Sequence, residues 1–205
     1  RISIEIRGSS SQQHPKKSYG LETQDSVGNN NNVSLLGMPV ENDWVLYAPY
    51  PDKTMIRNVF TYKTFEKMGY WSPRTRYCEL LINGDYLGVY VLLEKIKRDS
   101  DRLDIKKLTS ADTIGDDLTG GYIMKVDKGT GSGTSSIVSA YDPRVIFRYH
   151  DPGDDELLQV QKDYIEQYIR DFEDALEGPN FNDDVLGYKR FIDRASFIDF
   201  WLMQE

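Results

Sequence analysis

Arg76-Tyr77-Cys78-Glu79-Leu80-Leu81-Ile82, Asn83-Gly84-Asp85 and Tyr86-Leu87-Gly88-Val89-Tyr90-Val91-Leu92-Leu93 together decide the fold class. Two runs of leucine, β-branched and aromatic residues flank a turn tripeptide built on Asn-Gly, the strongest short-range hairpin signal. Residues 76–82 and 86–93 therefore read as antiparallel strands. Apolar side chains fall on both faces of both runs, so both strands are expected inside a sheet.

Working back from the hairpin, Asp52 is placed to cap a helix over 53–68 that stops at Gly69. Ile56, Val59, Phe60 and Phe65 give that helix its apolar stripe. Before it, Trp44 to Tyr47 reads as a short strand and Lys16 to Glu22 as another. Ile2, Ile4 and Ile6 alternate with Ser3, Glu5 and Arg7, the pattern of a strand with one apolar side. Working forward, residues 98–117 are charged and irregular. Gly120-Gly121 introduces a strand over 122–126, residues 129–136 read as a Gly/Ser/Thr-rich flexible loop, and 145–149 as a further strand. Leu158, Ile165, Ile169, Phe172 and Leu176 mark a long helix over 156–177 ended by Gly178-Pro179. Asp193 is placed to cap a last helix carrying Phe197, Ile198, Trp201 and Leu202. Strands first and helices last define an α+β fold, with a mostly antiparallel sheet lobe over 1–97 and a helical lobe beginning over 98–205.

Composition excludes several function classes. The net charge is −8, the wrong sign for a protein that grips a nucleic-acid backbone. No run approaches the roughly 18 apolar residues of a membrane helix. The single cysteine, Cys78, lies in an apolar stretch and reads as a small buried hydrophobe. With two histidines and one cysteine, a structural zinc site is not expected. The chain opens directly on a strand and closes on helix, with no polar tail at either end. That pattern reads as an excised fragment with imposed boundaries.

Four features carry candidate chemistry. Arg7-Gly8-Ser9-Ser10-Ser11 follows a strand, and a Gly/Ser loop offers backbone N–H groups and hydroxyls to phosphate oxygens. Lys16-Lys17 opens the next strand and supplies compact positive charge. Lys17 shares a face with Tyr19 and Leu21 and is the first choice for a phosphate contact, with Lys16 the alternative. Arg57 sits near a helix N-terminus, where a cation is disfavoured by the macrodipole, so an anionic partner is expected, either a carboxylate or a phosphate. Glu94-Lys95-Ile96 ends the hairpin's second strand and reads as a hinge whose backbone faces a nucleotide base.

These pieces in this order resemble the CotH family of atypical, kinase-like proteins. The matching stretches are Arg7-Gly8-Ser9-Ser10, Pro15-Lys16-Lys17-Ser18-Tyr19, Leu35-Leu36-Gly37 and Asp43-Trp44-Val45-Leu46. Ile56-Arg57-Asn58, Asn83-Gly84-Asp85-Tyr86-Leu87-Gly88-Val89-Tyr90, Glu94-Lys95-Ile96 and Gly120-Gly121-Tyr122 follow. The resemblance implies an atypical protein-kinase-like fold, with a nucleotide-binding N-lobe followed by the start of a helical C-lobe. It also implies phosphoryl transfer from ATP, with Mg or another divalent metal, to Ser or Thr of a protein substrate at a bacterial cell surface or in a coat. Glycine-rich loop, Lys strand, helix and hinge follow one another as in protein kinases. In the family the last helix runs into Asn- and Asp-bearing segments that resemble a catalytic loop and a metal-binding aspartate. This sequence closes at Trp201-Leu202-Met203-Gln204-Glu205, so the resemblance implies catalytic residues C-terminal to Glu205 and an inactive fragment. Lys125 and Asp127 stand where an acidic pair is expected. The competing reading is a non-catalytic surface, coat or adhesion module, which the many tyrosines and polar loops also fit.

Overall fold

A computed structural model describes residues 1–127 and 135–204. It divides into two compact units, Arg1–Ile96 and Lys97–Glu205. In the first unit five strands form one antiparallel sheet: β1 (Ile2–Arg7), β2 (Ser18–Thr23), β3 (Asp43–Tyr47), β4 (Thr75–Ile82) and β5 (Asp85–Glu94), in the order β1-β2-β3-β5-β4. Helix α1 (Arg57–Lys67) lies between β3 and β4 in sequence.

The hairpin forms where expected, with a tighter turn. Ile82 pairs with Asp85, so only Asn83 and Gly84 make the turn. Both have positive φ, 53° and 91°, the two left-handed residues that match strand twist in a two-residue hairpin. The expectation that both strands lie inside the sheet holds for β5 alone. β4 is an edge strand, and Tyr77 and Leu81 on it are exposed. Its apolar side chains on the second face reflect composition rather than burial. A register shift between Leu80 and Leu81 coincides with Gly88 at φ 84°, a β-bulge that skips Leu87 on the partner strand.

Each face of the sheet has its own core. On one, Trp44, Leu46, Tyr90 and Leu92 pack with Met38 and Ala48, and Tyr19, Leu21 and Cys78 lie at the margin. Cys78, expected to be buried, is only partly so, and that burial raises its thiol above its ordinary pKa. On the other, Val45, Val91 and Leu93 receive Val59 of α1. The helix begins at Arg57, four residues later than its sequence implied. Met55 adopts φ 59°, which breaks helical geometry before that point. Its apolar stripe is correspondingly narrower, because Ile56 and Phe60 face solvent.

The second unit pairs β6 (Ile123–Val126), β8 (Ile146–Asp151) and β7 (Ser136–Val138) antiparallel in that order. β7 is not expected from the sequence pattern. The loop expected over 129–136 falls outside the described residues except for its last two. A single-turn helix α2 (Gly115–Leu118) precedes the sheet, and α3 (Gln159–Glu177) covers it. Leu108, Ile137, Tyr149, Leu157, Ile165 and Ile169 form the core. Gln161 is buried, yet its amide donates to the carbonyls of Thr109 (2.7 Å) and Asp112 (3.1 Å) and its oxygen accepts from the Leu158 N–H. α3 starts three residues later than expected because that side-chain oxygen caps Leu158. Asp193 caps α4 (Arg194–Leu202) through the Ala195 N–H.

Candidate functional site

β2 begins at Ser18, not at Lys16. The two lysines therefore occupy the corner where the Gly/Ser loop meets the sheet, and strand alternation does not govern their directions. The Lys16 ammonium donates to the Val89 carbonyl at 2.5 Å and lies 4.5 Å from the centre of the Tyr90 ring. Half-burial draws its pKa below the ordinary lysine value. Tyr90 is 1% exposed, and its hydroxyl, pushed up to about 12 by burial and by Tyr19, donates to the Lys17 carbonyl. The Lys17 ammonium turns back and donates to the carbonyls of Gln12 (2.5 Å) and His14 (2.7 Å). One lysine thus lies over the sheet and its neighbour ties down the loop.

That loop is folded, not open. Residues Ser10–Gln13 make a 3-10 turn, closed by the Gln12 N–H to the Ser9 carbonyl and the Gln12 amide to the Gly8 carbonyl. Gly8 has φ 104°, and a Cβ there would meet the Ser11 hydroxyl at 2.1 Å. Only glycine fits. Ser9, Ser10 and Ser11 are exposed.

One ring contact and one electrostatic influence link this region to its surroundings. The His14 ring lies 5.3 Å from that of Tyr50. Burial raises the hydroxyl pKa of Tyr62 on α1, and the charge of Arg7, at the end of β1, partly opposes it. The Gly/Ser loop, the 48–57 segment and α1 therefore sit side by side.

Arg57 meets a carboxylate. Its Nε is 3.7 Å from Asp52, and its side chain is 80% exposed, a geometry that contributes little to stability. Asp52 acts mainly on the backbone. Its oxygens accept from the Thr54 hydroxyl (2.6 Å), the Thr54 N–H (3.0 Å) and the Arg57 N–H (2.9 Å). These bonds, the Thr54 hydroxyl first, hold the Asp52 carboxyl below its usual range. The guanidinium is left pointing outward at the start of α1.

Glu94, Lys95 and Ile96, expected as a hinge, diverge. The Glu94 side chain turns into the sheet, 1% exposed, and grips Arg74 through Nη2 at 2.9 Å, Nε at 3.1 Å and the backbone N–H at 2.9 Å. Lys95 lies 3.4 Å from Asp43 at the surface. Ile96 is 40% exposed. Leu92 and Leu93 are already covered by the two cores. Sequence reasoning missed Tyr90, Tyr62 and Arg74 as supports of these groups, whereas Asp52, expected to cap the helix, does hold the Arg57 N–H. The Asp52-x-Thr54 spacing was the one local signal among these. The others are brought in by strand pairing across the sheet.

Further along, Gly121 has φ 88°, and a Cβ there would meet the Lys106 carbonyl at 2.5 Å. Lys125 and Asp127 pair with each other at 3.8 Å. Among the described residues, no group of three or more His, Cys, Asp or Glu could hold a metal ion, and no helix is long and apolar enough to cross a membrane.

The described residues form an antiparallel α+β protein that brings a Gly/Ser loop, two lysines, a helix and a hairpin into one unit. The family described as CotH kinase protein matches residues 4–205, and the chain belongs to that family. No curated protein matches it significantly.

Proposed function

We propose that the intact protein is an ATP-dependent Ser/Thr protein kinase whose first unit binds the nucleotide. The observation that carries this reading is Lys16. Its ammonium is half-buried on an aromatic ring beside a Gly/Ser loop, and no carboxylate among the described residues lies within ion-pair distance of it. A protein of net charge −8 repels a nucleotide in bulk, so a binding site needs local cations. Lys16 contacts the phosphates, with the Arg7–Ser11 loop and Arg57 alongside. Lys17 holds the loop that presents those donors. Adenine lies against the backbone near Leu93 to Ile96, with the Ile96 side chain as its apolar contact.

Family membership supports a kinase-type protein; a surface or coat protein as substrate and a bacterial surface or secreted location are part of the same proposal. The described residues supply cations and backbone donors, which fit phosphate. They supply no carboxylate cluster for Mg, so no step is assigned to a metal.

The test uses the intact protein with ATP and Mg. Lys16→Ala should abolish ATP-dependent thermal stabilisation and cut phosphate incorporation about 100-fold, the usual scale for a lost charge-stabilising donor. Lys17→Ala should do less. Normal transfer by the double variant would remove the site. A folded wild type that binds ATP and transfers nothing, with any divalent metal, would favour the non-catalytic module instead.

A further inference from the structure

β1 is an edge strand, and its backbone pairing fixes which groups face outward. The Gln24 N–H donates to the Arg1 carbonyl at 2.9 Å, so Arg1 and Gln24 form a hydrogen-bonded pair in the Ile2↔Thr23 register. Alternation then turns the peptide groups of Ser3, Glu5 and Arg7 towards β2. Those of Ile2, Ile4 and Ile6 point to the open edge. The same three side chains lie on one face, opposite Thr23, Leu21 and Tyr19, and are 56%, 38% and 53% exposed. This edge, with its row of exposed isoleucines and unbroken register, lacks the lysines, prolines or bulges that normally guard against pairing.

We propose that β1 pairs antiparallel with β1 of a second copy, joining two five-stranded sheets into one. Self-complementarity selects the partner. With the two-fold axis at Ser3, Ile2 faces Ile4 and Arg1 faces Glu5, twice each. Ile2 and Ile4 meet on the apolar face, and the opposite charges of Arg1 and Glu5 meet on the other. Neighbouring registers are worse. An axis at Ile4 sets Arg1 against Arg7, and one at Glu5 sets Glu5 against itself. An axis at Ile6 places Ile4 opposite Gly8, which has left the strand. Cross-strand pairs of opposite charge stabilise and like pairs destabilise.

Sedimentation of the chain over a wide concentration range tests the pairing. A reversible monomer–dimer equilibrium is expected. Glu5→Arg sets like charges together at both symmetric positions and should weaken dimerisation about tenfold. The swap Arg1→Glu with Glu5→Arg restores the complement and should return the dissociation constant to near its original value. Ile4→Lys, an edge-guarding change, should leave only monomer, with far-UV circular dichroism confirming the fold. A wild type that stays monomeric throughout overturns the proposal. So does a dimer indifferent to both Glu5→Arg and the swap, since it would use another surface.

Discussion

Replacing Glu94 with alanine should unfold the first unit at markedly lower urea. The carboxylate is 1% exposed and receives the Arg74 guanidinium and backbone N–H. Removing one partner of a buried ion pair costs about 3–5 kcal/mol, because the other is left without compensation. Here the Arg74 side chain is 31% exposed, so water can partly rehydrate the orphan. About 2–3 kcal/mol is the appropriate loss once that screening is allowed for. With a urea slope of about 2 kcal/mol/M, the midpoint should fall by about 1–1.5 M. Tryptophan fluorescence is a suitable probe, because Trp44 is buried directly opposite Glu94 in the β3–β5 ladder. Arg74→Ala and the double variant complete the cycle, and the double loss should be well short of the sum. A midpoint within about 0.3 M of wild type for Glu94→Ala would refute the reasoning, and Glu94 would have to be reassigned from support to direct ligand contact.

Gly120 and Gly121 form a matched pair. A Cβ at Gly120 meets nothing nearer than 3.9 Å, whereas one at Gly121 meets backbone at 2.5 Å with φ 88°. Gly120→Ala should therefore change stability by less than about 0.5 kcal/mol and Gly121→Ala should cost more than about 2 kcal/mol, read by denaturant melts. Asp52 supplies the pH test. Its carboxyl is depressed in the fold, so its contribution is fully present above the unfolded value of about 3.9 and is lost as pH falls through the folded value. Amide exchange at the start of α1 should rise over that acid range and should be fast at all pH in Asp52→Ala. An Asp52 carboxyl carbon that titrates at the ordinary value would contradict it. In the hairpin, Gly84→Ala should cost about 1 kcal/mol through its φ of 91° alone, although open space surrounds the new methyl.

The parts of the fold that repeat a local period were legible in the sequence. Asn83-Gly84 specified the hairpin because two left-handed residues in a row admit few alternatives. Ile2, Ile4 and Ile6 specified a strand, and Asp193 a helix start. Boundaries failed where a non-local or unusual feature decided them. Met55 at positive φ delays α1, and nothing in Thr54-Met55-Ile56 announces it. β4 read as an inner strand because Leu80, Leu81 and Ile82 are apolar, but strand order is a property of the whole sheet. The site was legible as a set of residue types and not as directions. Alternation counted from Lys17 to Tyr19 presupposed a strand that begins only at Ser18. One residue of slip at a strand end exchanges the two faces, and so the sequence could not decide which lysine lies over Tyr90.

The groups proposed for the nucleotide also determine what each experiment measures. In the proposed site Lys16, Arg57 and the backbone of the Gly/Ser loop would neutralise or hydrogen-bond phosphate. They would do so for bound ATP as well as for a transferring phosphoryl group, so part of their effect would be uniform binding. A loss of that part raises the nucleotide concentration needed and leaves the maximal rate alone. Lys16 differs from Arg57 in its surroundings. It is half-buried against Tyr90, whereas Arg57 is 80% exposed, and charge interactions strengthen as water is excluded. The two substitutions should therefore separate. Arg57→Ala should shift nucleotide affinity modestly and become silent at high salt, because a solvated charge is screened. Lys16→Ala should remain severe at the same salt. If added salt rescued Lys16→Ala and Arg57→Ala alike, Lys16 would be acting as one more surface cation, and the phosphate site centred on the Tyr90 ring would have to be abandoned.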